Sequence, residues 1–267
     1  MIIRKSPEEI EAIAAAGTVL ARCHEMLRGK ARPGVTTAEL DEAAERFIRS
    51  QGGEPAFKGY RGFPGSICAS PNSMVVHGIP GSYRLARGDV LSVDIGVVLD
   101  GWVADAAVTH PIGNVTPVAR KLLATTRASL FAGVEQCRRG NHLGDISRAV
   151  QSRVEADGFS VIRSLVGHGI GRDMHEDPQI PNFGEPGTGP ELREGMVLAI
   201  EPMVNAGDHA VRMGSDNWAV YSQDGSLAAH FEHTVAITAE GPRILTPWDS
   251  GDEGRGRQVA ATLTGRR

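Results

Sequence analysis

The chain has only three cysteines, Cys23, Cys68 and Cys137, odd in number and far apart along 267 residues. That excludes a disulfide framework, offers no zinc-finger spacing and suits a reducing compartment. No apolar run approaches the roughly 20 residues that a membrane span needs. The opening segment MIIRKSPEEI also has no apolar stretch of the secretory kind. A dominant charge is missing too. Lys and Arg number 28 against 32 Asp and Glu, a net charge of -4, so no bulk attraction to nucleic acid or an anionic membrane is implied. With 41% hydrophobic and 22% charged residues, the composition is that of an ordinary soluble globular protein. It is long enough for one large domain or two small ones.

The most informative stretch is LSVDIGVVLDGWVADAAVT, Leu91 to Thr109. Asp100-Gly101 between two apolar runs is a hairpin signal, because a type I′ turn needs φ > 0 at both central residues. With that turn, Leu99 pairs with Trp102 and Gly96 with Asp105. Asp94 and Asp105 then become diagonal neighbours on one face, their backbones about 7–8 Å apart. Two ionised carboxylates so placed repel each other, and one pKa rises unless a cation sits between them. On the hairpin alone, one Asp capping a turn and the other facing water is an equally open arrangement.

Ser6-Pro7-Glu8-Glu9 is a capping box with Pro at the first helical position, and it predicts a helix to about Leu27. Thr36 and Glu39 form a second box, opening a helix that ends near Gly52-Gly53. Residues Glu54–Pro80, rich in Gly, Pro and aromatics, predict irregular structure with short strands. A third helix starts at Thr116-Pro117 and runs to about Arg138. A fourth runs from Gly144-Asp145 to Gly158. A shift of 106 residues aligns Leu40 with Ile146, Ala43 with Ala149, Ala44 with Val150, Ile48 with Val154 and Gly52 with Gly158. This weak repeat predicts two related halves with their strands meeting centrally, a natural place for a site.

The second half supplies further candidate ligands. His168 lies between glycines in LVGHGIG, where backbone can approach closely. Glu201 sits in the apolar stretch VLAIEPM and Glu232 opens FEHTVAIT, both read as strands. A Glu in an apolar strand is costly unless paired or bound to metal. Asp94, Asp105, His168, Glu201 and Glu232 thus form a set of four carboxylates and one imidazole. Their four negative charges balance two divalent ions, and oxygen-rich ligation suits Mn²⁺, Fe²⁺, Co²⁺ or Zn²⁺. Such ions lower the pKa of bound water and polarise a carbonyl. No Ser-His-Asp or Cys-His signature appears, which argues against covalent catalysis.

These residues resemble those of the type I methionine aminopeptidases. The matching segments are SICASPNSMVVHGIP, VDIGVVLDGWVADAAVT, GHGIGRDMHEDPQIPNFG, IEPM and FEHTVAIT, over about Ile2 to Leu245. The resemblance implies an α+β pita-bread fold, two pseudo-symmetric α/β halves around a central antiparallel sheet. Residues 1–248 would form a single catalytic domain and 249–267 a flexible C-terminal tail. Asp94 would chelate one metal, Asp105 and Glu232 would bridge, and His168 and Glu201 would complete the ligand shell of the second metal. Glu201 would also accept a proton as a metal-bound hydroxide attacks. His77 and His175 would contact substrate and intermediate. Tyr60, Phe63, Cys68, His77, Met174, His175 and Trp218 would line the substrate pocket, with Cys68 a wall rather than a nucleophile.

The implied activity is removal of the initiator methionine from nascent polypeptide N-termini when the second residue is small. It implies two divalent ions, a cytoplasmic monomer, the ribosome as a candidate partner, and neither DNA nor membrane binding. Met174 stands where the family often has Phe, and Phe57 where Cys is common. Val103 and Ala106 replace more polar residues. An X-Pro aminopeptidase or prolidase shares the ligand set, but its last Glu sits in an Arg-x-Glu-Asp context rather than Phe231-Glu232-His233-Thr234. A binding protein that kept the fold without catalysis would normally have lost ligands.

Overall fold

The computed structural model describes residues 1–249. The tail expected over 249–267 therefore lies, after Asp249, outside the described residues. Helix α1 (Pro7–Lys30) starts where the sequence places it. Ser6 Oγ accepts the Glu9 N–H, and the Glu9 carboxylate accepts the Ser6 N–H. Thr36 and Glu39 close the same reciprocal box before α2 (Thr37–Ser50). Three short strands follow, β1 (Glu54–Pro55), β2 (Cys68–Pro71) and β3 (Met74–Val76), with one tight turn at Tyr60–Gly62. Then comes the long hairpin of β4 (Val90–Leu99) and β5 (Trp102–Pro111).

The second half repeats the order with α3 (Pro117–Glu135), α4 (Leu143–Ala156) and β6 (Ser160–Val161). Helix α3 stops three residues short of the expected Arg138, because the Gln136 and Cys137 N–H groups bond carbonyls three residues back and tighten the last turn. Helix α4 starts at Leu143, where the Asp145 carboxylate accepts the His142 N–H. Helices α2 and α4 are both 14 residues long, offset by 143 − 37 = 106. Gly52 and Gly158, which follow them, share a left-handed φ of 81°. Strand β1 pairs with the far end of β4.

The remaining strands are β7 (Val166–Gly169), β8 (Glu176–Pro181), β9 (Val197–Ile200), β10 (Met203–Asn205), β11 (Val211–Met213), β12 (Val220–Ser222), β13 (Ala228–His230), β14 (His233–Thr238) and β15 (Gly241–Ile244). One sheet has the order β15-β14-β9-β7-β8, and β10 lies between β13 and β6, the counterpart of β1 on β4. Every pairing is antiparallel.

The hairpin has the expected register. Leu99 faces Trp102, Gly96 faces Asp105 and Asp94 faces Ala107. The turn residues Asp100 and Gly101 have φ of 51° and 75°, the type I′ signature. The two carboxylate-bearing strands of the second half differ from the expectation. Each is broken at its Glu. Strand β9 ends at Ile200 and β10 resumes at Met203, since Pro202 has no N–H to give a ladder. Strand β13 ends at His230 and β14 begins at His233, because the Glu232 N–H turns to the Ala107 carbonyl, 2.9 Å away on β5.

That bond belongs to a seam joining the halves. Thr234 Oγ1 accepts the Asp105 N–H at 3.0 Å and donates to the Asp105 carbonyl at 2.8 Å. Thr109 Oγ1 likewise accepts the His230 N–H at 2.9 Å and donates to its carbonyl at 2.7 Å. Two threonine side chains thus do the work of ladder bonds where β5 meets β13 and β14. Thr234→Val keeps the shape but orphans a buried donor and acceptor on Asp105. A urea melt of the metal-free protein should show a loss of about 2 kcal/mol.

Candidate metal centre

The seam and the strand breaks aim five side chains at one point. Asp94 and Asp105 come from β4 and β5, His168 from β7, Glu201 from the break after β9 and Glu232 from the break before β14. One donor atom each of Asp105, His168 and Glu232 lies within 4.8 Å of the others. His168 Nε2 stands 3.6 Å from Glu201 Oε1. His168 Nδ1 is 2.9 Å from the Gly169 carbonyl, and by donating there it leaves Nε2 as an acceptor facing the carboxylates. The flanking glycines are required by close approach. A Cβ on Gly167 would meet the Ala199 carbonyl oxygen at 2.4 Å, and one on Gly169 the Asp177 carbonyl oxygen at 2.1 Å.

The electrostatics are those of a cage built for cations. Burial, and then the neighbouring carboxylates, raise Asp105, Glu201 and Glu232 well above the usual carboxylate range. Burial raises Asp94 as well. Burial pushes His168 down to about 4, so it is neutral and able to ligate at pH 7. Asp94 Oδ1, Asp105 Oδ1 and Glu232 Oε1 are buried without any hydrogen-bond partner. Four carboxylates, three of them with an orphaned oxygen, and one neutral imidazole fit hard-to-borderline divalent ions.

The cage floors a cavity of about 170 Å³, walled by Phe57, Tyr60, Arg61, Phe63, Cys68, His77, His175 and Trp218. Phe63 meets the Trp218 ring edge-on, with centroids 5.1 Å apart. Tyr60 Oη lies 2.9 Å from His175 Nδ1, and the His175 ring sits 4.3 Å from that of His168. Burial lowers both His77 and His175, leaving neutral imidazoles. His77 is held at a left-handed φ of 59°, strain of the kind that clusters at functional sites. Burial and then the nearby carboxylates drive Cys68 well above the ordinary thiol range. That suits a wall and not a nucleophile.

The cavity gathers every residue expected there except Met174. Met174 is buried below the wall, its methyl placed where a Gly96 side chain would be, beside Phe57. Gly96 has no side chain, so Phe57 and Met174 both pack toward the hairpin and Phe57 takes the wall position. Arg61 was not anticipated, although its place between Gly59 and Gly62, both at left-handed φ, marks a sharp projecting turn. His230 was also missed. It faces Glu201 and Glu232, and the strand alternation Ala228, His230, Glu232 carries that signal.

A buried, carboxylate-rich metal cage beside an apolar cavity is the centre of a metal-dependent hydrolase. Residues 11–239 match the pattern of Metallopeptidase family M24, and the chain belongs to that family. It is 53% identical over 246 residues to Methionine aminopeptidase 1 of Bacillus subtilis, covering 92% of this chain and 99% of that protein. A solved methionine aminopeptidase from Thermotoga maritima superposes with a TM-score of 0.91 at 44% identity, over 92% of this chain and 99% of that one. A prolidase from Pyrococcus furiosus reaches a TM-score of 0.75 at 23% identity, over 91% of this chain and 65% of its own, a likeness of fold alone. The fold is therefore the α+β pita-bread fold.

The raised carboxylates make the metal-free protein sensitive to pH. From about pH 7.5 to 8.5 the histidines are almost entirely neutral in folded and unfolded chains alike. The folded cage still holds protons that the unfolded chain has released. Stability of the metal-free protein should therefore fall as pH rises from about 7.5 to 8.5. Saturating Mn²⁺ should abolish that slope in chemical melts. A metal-free melt that is flat over this range would contradict the electrostatic reading.

Proposed function

We propose that the chain is a methionine aminopeptidase that binds two divalent cations. Asp94, Asp105, His168, Glu201 and Glu232 would hold them, with Asp105 and Glu232 shared. Cations bound there would polarise the scissile carbonyl and activate water. The supporting observation is the partly open, largely apolar cavity ending directly on the cage. One unbranched apolar side chain fits that geometry, with the scissile bond held at the carboxylates. Phe57, Phe63, Trp218 and the Cys68 thiol offer the soft contacts a thioether takes. Arg61, at a cation–π distance of 5.3 Å from the Tyr60 ring, joins the same wall.

Glu201, raised by burial and by its neighbouring carboxylates in the metal-free cage, would be ionised once cations neutralise those charges, and would then accept the proton given up by the attacking water and pass it to the leaving amine. His77 and His175, neutral and pocket-facing, donate to the substrate carbonyl and to the oxyanion that forms on it. Tyr60 fixes the His175 ring through the contact to Nδ1, leaving Nε2 for that role. The substrates are nascent polypeptide N-termini with a small second residue. The setting is the cytoplasm, the protein a monomer, and the ribosome the partner that presents the chain.

The test is hydrolysis of Met-Ala-Ser, Leu-Ala-Ser and Ala-Pro-Gly by metal-stripped protein, with and without Mn²⁺ or Co²⁺. Metal-dependent cleavage of Met-Ala-Ser alone is expected. Preference for Ala-Pro-Gly would move the chain to the proline-directed branch, and no cleavage by folded, metal-loaded protein would revive a binding role. Asp105→Ala should abolish turnover and lower bound metal below two ions per chain, read by elemental analysis. Cys68→Ser should keep kcat within a few-fold while KM rises.

A further inference from the structure

His230 is 2% exposed, and neither of its ring nitrogens has a hydrogen-bond partner. A buried imidazole with two orphaned nitrogens is costly unless something completes it. Its Nε2 lies 3.8 Å from Glu201 Oε2 and 3.9 Å from Glu232 Oε2, facing the carboxylates that close the cage on the second-half side. The ring is not loosely held. The His230 backbone is clamped on both its N–H and its carbonyl by Thr109, which is itself tied to Ser92 Oγ at 2.9 Å on β4. Pairing with Met203 on β10 fixes the third side. The fold has thus clamped the His230 backbone and set its Nε2 at nearly equal distances from two carboxylates, with no hydrogen-bond partner for the ring among the described residues.

We infer that His230 is a positioning residue of the metal centre. Its Nε2–H orients the Glu201 and Glu232 carboxylates, and it acts on bound cations through them. Ligating carboxylates are commonly held by a neighbouring donor, and loss of that donor weakens metal binding. The inference rests on the metal-centre reading above and concerns affinity and coordination, not the choice of substrate.

The experiment uses the whole chain, stripped of metal and titrated with Co²⁺. Calorimetry gives affinity and the visible absorption of the bound ion gives its coordination. Wild type, His230→Leu and His230→Gln are compared, with metal-free melting to show that each folds. Wild type should bind two ions. His230→Leu should bind about 10–100-fold more weakly, with a shifted absorption band. His230→Gln, which keeps an N–H donor, should fall between them in affinity. If both variants match wild type in affinity and spectrum, His230 only fills space and the inference fails, while the metal centre stands. Should His230→Leu not fold, the glutamine variant alone decides, and wild-type affinity there overturns the inference. Wild-type protein that binds no Co²⁺ would remove the metal centre itself.

Discussion

Four carboxylates converge in a space where none has, among the described residues, a Lys or Arg side chain to pair with. That single constraint organises the molecule. Bringing like charges together inside a protein costs several kcal/mol per ion unless the charge is neutralised. The backbone must therefore hold them against repulsion until cations or protons arrive. The chain does so by spreading the carboxylates over both halves and locking the halves along one seam. Thr234 grips Asp105, Thr109 grips His230, and Glu232 reaches across to Ala107. Helices cover the far side. The buried face of α1, including Ile13, Leu20 and Leu27, packs on the hairpin.

The same constraint shapes the chemistry. A cage that raises its own carboxylates holds protons at Asp105, Glu201 and Glu232 until cations displace them. The surrounding burial keeps His77, His168 and His175 neutral, so one can ligate and two can donate. Phe57, Phe63, Cys68 and Trp218 give the cavity its apolar wall beside the cage.

Much of this was legible in the residue order. The Asp100-Gly101 turn fixes the hairpin register, and register alone makes Asp94 and Asp105 neighbours. The capping boxes at Ser6 and Thr36 set helix starts to the residue, because each satisfies its own backbone donors locally. What escaped was decided by tertiary contact. Apolar continuity hid the strand breaks at Glu201 and Glu232, since a break at Glu232 depends on a carbonyl more than a hundred residues away at Ala107. Met174 left the wall because Gly96 opened a space beneath it, which only packing reveals. His230 was legible only in part, since the alternation Ala228, His230, Glu232 flags it but packing alone decides what it faces.

The central claim is that cations, not protons, resolve the carboxylate cage at working pH. Its most direct test is anomalous scattering from crystals grown at pH 7.5 with Mn²⁺. The account predicts two anomalous peaks enclosed by Asp94, Asp105, His168, Glu201 and Glu232. A well-ordered cage with no peak among those side chains, at millimolar Mn²⁺, would contradict it.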